Sequence, residues 1–192
     1  MQIMDDEEIG VEDTPREAEE IARRALVLSA VMSVAFGSPA DQIISWLKTE
    51  NLWKEITPNE LDFLNNPSNE RNKVRFSWKV EALVALLWSI NKVRKLPKLT
   101  SQCDTGPLKK AIVWPPEPTA VFISSSKLRS EKEISKEYEK IYQAHWAVRD
   151  AGLNNKKTPT KLVPGVVYER HYGFNWIVGY GGQSWDDIST DT

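Results

Sequence analysis

A chain of 192 residues, 41% hydrophobic and 27% charged, is long enough to bury a core without disulfides or a structural metal. Its formal net charge of -2, with Lys and Arg interleaved among Asp and Glu, offers no basic face for phosphate neutralisation and argues against nucleic acid as a partner. The single cysteine, Cys103, allows no internal disulfide and fits a reducing compartment, while eight tryptophans imply large aromatic contacts whose indole N–H groups need acceptors.

The N-terminal residues Met1 to Asp13 read as an acidic, flexible arm, acidic where a signal peptide is basic and then apolar, so export is not expected and a cytoplasmic setting is. Thr14-Pro15-Arg16-Glu17 carries an N-cap hydroxyl, proline at the first helical position and glutamate at the third, and predicts a helix from Pro15 to Phe36 stopped by Gly37. Its apolar run, Ala25 to Phe36, is too short to span a bilayer and reads as core, so no membrane partner is expected. Ser38-Pro39-Ala40-Asp41 repeats the start signal for a helix to about Glu50, with Ile43, Ile44 and Leu47 on its apolar side. Thr57-Pro58-Asn59-Glu60 is a further capping box and opens a short helix through Leu64 that ends before Pro67.

Residues Asn69 to Val93 predict one long helix at the centre of the domain. Val74, Trp78, Glu81, Ala85 and Trp88 fall on one side at helical spacing, and Val80, Leu83, Val84, Leu87 and Ile90 fill another, so the second half is apolar nearly all round and therefore buried. Glu81 then lies between two tryptophans with little water, where an unpaired carboxylate costs several kcal/mol or takes up a proton. It requires a cation or a donor.

Prolines at 97, 107, 115, 116 and 118 forbid long helices between Leu96 and Ser126. Within that region Ala111 to Trp114 and Ala120 to Ile123 are candidates for a small hairpin. Ser130-Glu131-Lys132-Glu133 caps the next helix, which runs to Ala151 with Ile134, Tyr138, Ile141, His145 and Val148 as its stripe. A polar loop from Asn154 to Thr160 leads to a helix over Gly165 to Val178. Gly179, Gly181 and Gly182 end that helix, and Ser184-Trp185-Asp186-Asp187 caps a last turn. The pattern as a whole predicts a mainly α protein: one domain over residues 14–192, of about six to seven helices around a buried central helix.

Five ordered segments carry a family resemblance: RFSWKVEALVALLW (Arg75 to Trp88), LRSEKEI (Leu128 to Ile134), YQAHWAVRDA (Tyr142 to Ala151), VVYERHYGFNW (Val166 to Trp176) and WDDISTDT (Trp185 to Thr192). In this succession the chain resembles the bacterial family catalogued as domain of unknown function 4272, over roughly Ile21 to the C-terminus. The resemblance implies a single domain and brings no activity, substrate or cofactor. Where the family has Arg after the central Trp and Ala before the Asn-Trp pair, this chain has Lys79 and Phe174. Lysine keeps the charge but lacks the guanidinium's two-pronged contact with a carboxylate. The N-terminal arm and the segment from Pro115 to Pro118 fall outside the resemblance.

The chemistry-bearing residues gather in the helix that runs from the Ser130 cap to Ala151 and in the C-terminal stretch. His145 and His171, with Glu81, Asp150, Asp186, Asp187 and Asp191, are of the types that serve acid–base or metal chemistry, but no paired-histidine spacing is present. Each histidine reads first as structural: His145 as a core imidazole bonded to a carboxylate or carbonyl, His171 as a partner of Asn175 one turn on. Arg170, on the inner side of its helix, is placed to bridge Glu81 or the pair Asp186 and Asp187. Together Glu81, Arg149, Arg170, Asp186 and Asp187, framed by Trp176 and Trp185, read as a polar clasp. A pocket, if the clasp leaves one, is expected where it meets Trp78, Trp88 and His145. Gly179-Tyr180-Gly181-Gly182 follows a helix rather than preceding one and lacks Gly-Lys-Ser/Thr, so it is not a phosphate loop. Neither cofactor nor metal is implied. The expected function is non-enzymatic, an adaptor or inhibitor that binds another protein through its tryptophans; the alternative is a small metal-dependent or acid–base hydrolase built on His145, His171 and Asp186.

Overall fold

Apolar stripes too wide for solvent dictate the architecture. In the computed structural model, which describes residues 13–158 and 161–191, helix α5 (Val80–Ser89) has every residue buried. It lies between α1 (Ala18–Ala35) and α9 (Pro164–Val178), and α8 (Glu131–Leu153) packs on the far side of α9. The crossing of α5 and α9 is close because Gly173 presents no Cβ: one added there would stand 3.2 Å from the Ala82 backbone and 3.3 Å from the Ala85 methyl. Around this stack sit α2 (Ala40–Thr49), α3 (Pro58–Asn65), α4 (Glu70–Trp78) and the short helices α6 (Thr105–Ala111) and α7 (Ala120–Ser124), with 3-10 turns at Trp53–Glu55, Tyr180–Gly182 and Trp185–Asp187. Among the described residues no strand occurs and no helix is long and apolar enough to cross a membrane.

Two predicted helix starts form as the capping chemistry requires. Thr57 Oγ1 accepts from Glu60 N while Glu60 Oε2 accepts from Thr57 N, and Ser130 and Glu133 repeat the reciprocal pair. The start at Thr14-Pro15 does not form. Helix α1 begins three residues later than proline, at Ala18, because tertiary contacts claim the segment: Arg16 N donates to Ile177 O at 3.0 Å and Arg16 Nη2 to Gln183 O at 2.9 Å. Gly179 makes room for it. At φ +74 it ends α9 in the left-handed region, and an added Cβ would stand 1.9 Å from Thr14 O. Of the predicted acidic arm, residues 1–12 lie outside the described residues, while Asp13 accepts from Gly181 N at 2.8 Å.

The predicted single helix over 69–93 is two helices, broken at Lys79, where ψ opens to -8 and the N–H bonds back to Phe76 O, three residues away. Consecutive residues of a regular helix point 100° apart. With the kink, both Trp78 and Lys79 reach α9, Trp78 against Gly165 and Lys79 against Glu169. The predicted hairpin does not form: α6 ends at Ala111, residues 112–114 are irregular, and Ala120 to Ile123 lies in α7. Thr119 N and Oγ1 both donate to Glu50 Oε2 at 2.8 Å, and Trp46 Nε1 donates to Glu117 O at 3.0 Å, so the chain is tied down on α2 and has no strand partner.

Candidate functional site

Of the residues read as a polar clasp, Arg170 and Glu81 bond to each other. Glu81 and Arg170 are both 0% exposed. Arg170 Nε and Nη2 donate to Glu81 Oε2 at 3.0 and 2.8 Å, Arg170 Nη1 donates to Pro97 O at 3.1 Å, and Cys103 N donates to Glu81 Oε1 at 2.6 Å. Every side of the pair is satisfied, which is the condition under which a buried ion pair is tolerated. Beside Glu81, burial first and the carboxylate second push the Cys103 thiol up to about 11.

Two further buried ion pairs flank it. Arg24 Nη2 donates to Glu60 Oε1 and Arg24 Nη1 to Glu55 O at 3.0 Å, so the capping-box carboxylate serves both a helix start and a charge in α1. Lys79 Nζ donates to Glu169 Oε2 at 2.9 Å and lies 3.5 Å from the Tyr172 ring centroid. Burial lowers the Lys79 pKa against the opposing pull of Glu169. The residue that departs from the family resemblance thus keeps a carboxylate contact, made as a point charge.

Aromatic rings fill the spaces between these charges. Trp185 sits edge-on to Tyr172 at 5.1 Å and to Trp176 at 5.5 Å, with Arg24 over Trp185 and Arg16 over Trp176, each at 5.1 Å. Tyr172 Oη donates to Trp185 O, and Asn175 Nδ2 donates to Ser189 O at 2.6 Å, which binds the last turn onto α9. Asn175 therefore does not pair with His171, contrary to expectation. Asp186 and Asp187 do not meet Arg170: Asp186 Oδ2 accepts from Asn59 N at 2.9 Å and Asp187 Oδ2 from Ser184 Oγ at 2.5 Å. Arg149 stays outside the clasp, exposed and 3.9 Å from Asp191. Trp88 packs on Phe174, with the Arg129 guanidinium 4.6 Å from its ring centroid.

The two histidines find each other instead of a carboxylate. His145 Nδ1 and His171 Nδ1 are 2.7 Å apart, a contact that requires one nitrogen to donate and the other to accept. His171 Nε2 is buried with no hydrogen-bond partner among the described residues. Burial, then the neighbouring His145, lower the His171 pKa to about 4, and burial also lowers that of His145, so both rings are neutral at pH 7. His145 lines an open depression of about 450 Å³ with Trp78, Val148, Gly165, Tyr168 and Glu169. Of the residues where a pocket was expected, Trp78 and His145 line this depression, while Trp88 and Arg170 do not. Among the described residues no three His, Cys, Asp or Glu side chains gather to hold a metal ion.

A larger cavity lies elsewhere and was not foreseen. It is a groove of about 750 Å³, well within the range of ligand sites, floored by Met32, Ile43, Val80, Leu83 and Leu108 and walled by Phe36, Trp46, Trp114, Pro115 and Pro116. Its lining comes from α1, α2, α5, α6 and the strap after α6, so no local periodicity could have revealed it. The one signal available was Trp114 followed by two prolines, a rigid aromatic segment with no helical role. Both indole N–H groups are satisfied inside the protein, Trp46 on Glu117 O and Trp114 on Lys109 O at 3.1 Å. What these tryptophans offer the groove is therefore apolar ring surface.

No curated protein and no solved structure matches this chain. The model of the family described as Domain of unknown function (DUF4272) matches residues 4–188, a span that takes in both the N-terminal residues and the Pro115 to Pro118 segment left out of the sequence resemblance. The chain belongs to the DUF4272 family.

Proposed function

We propose that this protein is a non-enzymatic, cytoplasmic interaction protein of adaptor or inhibitor type, which receives an apolar segment of a partner protein in the groove between α1, α2, α5 and α6. The observation that carries the reading is the groove itself, a preformed apolar concavity with two tryptophans in its wall. Tryptophan in a desolvated pocket is a frequent binding hot spot, and an apolar segment laid into such a groove is a recurrent mode of peptide recognition. Phe36, 63% exposed at the end of α1, adds apolar area that contact with a partner would remove from water. The buried charges of the clasp support the same reading, because their bonding capacity is spent inside the protein.

Site-specific photocrosslinking tests this. A benzophenone amino acid in place of Phe36, expressed in the native host, is expected to capture a discrete partner. The same group in place of Leu153, 80% exposed at the end of α8, serves as the control. Identical products from both positions, or none from Phe36, would refute the proposal.

A second reading, acid–base hydrolysis at His145, is favoured by the contact with His171, which holds one imidazole nitrogen of a residue that lines the open depression. It loses Asp186, which is held by Asn59 N. Turnover of p-nitrophenyl esters that disappears in His145→Gln would favour it; turnover unchanged by that substitution would remove it.

A further inference from the structure

We infer that the segment received in this groove carries a carboxylate side chain next to its apolar one, an inference that rests on the docking role proposed above. Among the residues lining the groove Lys109 is the only charged side chain. It is exposed in the last turn of α6, it makes no ion pair with a described residue, and Lys110 beside it makes none either. The nearby acids do not neutralise them. Asp104 spends a carboxylate oxygen on Gly106 N at 2.9 Å, and Glu50 spends one on Thr119. Asp41 and Glu117 adjoin lining residues in sequence but do not line the groove. Gln42 and Thr105, which do line it, have side chains without a hydrogen bond to any described residue. The groove thus joins an apolar floor to an amide, a hydroxyl and an unpaired ammonium. An acid next to an apolar side chain pairs with that ammonium while its neighbour meets the apolar floor, and in a protein of net charge -2 the local sign selects its partner against the overall one.

The experiment is selection of a random peptide library on the full chain, with Gln42→Trp as the counter-selecting variant. Gln42 is exposed on α2 and lines the groove, so tryptophan there narrows the groove without touching the core, and unchanged helical circular dichroism confirms the fold. Peptides kept by the wild-type chain alone are expected to place Asp or Glu within a few positions of an aromatic or aliphatic residue. Lys109→Glu is expected to weaken such a peptide about tenfold, as is glutamine in place of its acid, with the combined change little worse than either. Groove-dependent peptides without an acidic residue, or affinity indifferent to Lys109→Glu, would overturn the inference while leaving the docking role intact. Absence of any groove-dependent peptide would overturn the docking role, and the inference with it.

Discussion

Removing Arg170 is the sharpest test of the clasp. Arg170→Met keeps most of the apolar stem but deletes three donors, two to Glu81 Oε2 and one to Pro97 O. Glu81, 0% exposed, is then left as a buried carboxylate with Cys103 N alone, and stranding one member of such a pair costs about 3 to 5 kcal/mol. For a chain of this size that lowers the melting temperature by roughly 10 °C. Glu81→Leu should cost as much, since it strands the guanidinium. The double variant Glu81→Leu/Arg170→Met removes both charges and should be more stable than the sum of the single losses implies, with a coupling of about 2 kcal/mol or more. Urea unfolding followed by tryptophan fluorescence measures all three. An Arg170→Met protein within about 0.5 kcal/mol of wild type, the range of ordinary surface changes, would refute the structural role assigned to this pair.

Other consequences follow from the same structure. Because the folded His171 pKa is depressed from 6.5 to about 4, the unfolded chain binds more protons between those values, so stability is full above pH 6.5 and falls as pH drops toward 4. The loss reaches about 3 kcal/mol, and His171→Leu should flatten that part of the stability profile; an unaltered slope would contradict the assignment. The Cys103 thiol, raised from 9.0 to about 11, should react with iodoacetamide at pH 8 about 100-fold more slowly than in the urea-unfolded chain, since only the thiolate attacks. Equal rates would show that the thiol is not buried against Glu81. Gly179→Ala should cost at least about 2 kcal/mol, from the left-handed backbone and from displacing the Thr14 carbonyl, and should release the segment before α1 to proteolysis. A fully stable Gly179→Ala protein would mean that this segment does not dock as described.

What the sequence disclosed was set by the range of the forces involved. The capping boxes at Thr57 and Ser130 were legible because they are closed within four residues. The partnership of Arg170 with Glu81 was legible because a buried carboxylate on an all-apolar helix demands a cation, and few inward-facing arginines were on offer. Arg24 and Glu60 escaped notice for the opposite reason: each had a local role, one in a charged helical turn and one in a capping box, and only the fold joins them. The kink at Lys79 left no proline or glycine to announce it. It arises because two consecutive residues both reach α9, a tertiary demand that overrides local helical regularity. His145 and His171 were named as a pair, but their direct contact could not follow from spacing across two helices. The groove drew on elements too far apart in the chain for any pattern to mark it.

The central claim is that this groove holds a partner's apolar segment, and the affinity of the partner captured from position 36 tests it most directly. Isothermal titration of that partner against the wild-type chain and against Gln42→Trp should show a loss of at least about tenfold in the variant, the scale expected when a well-packed apolar anchor is displaced. Equal affinity for the two proteins would place the interaction elsewhere and contradict the account.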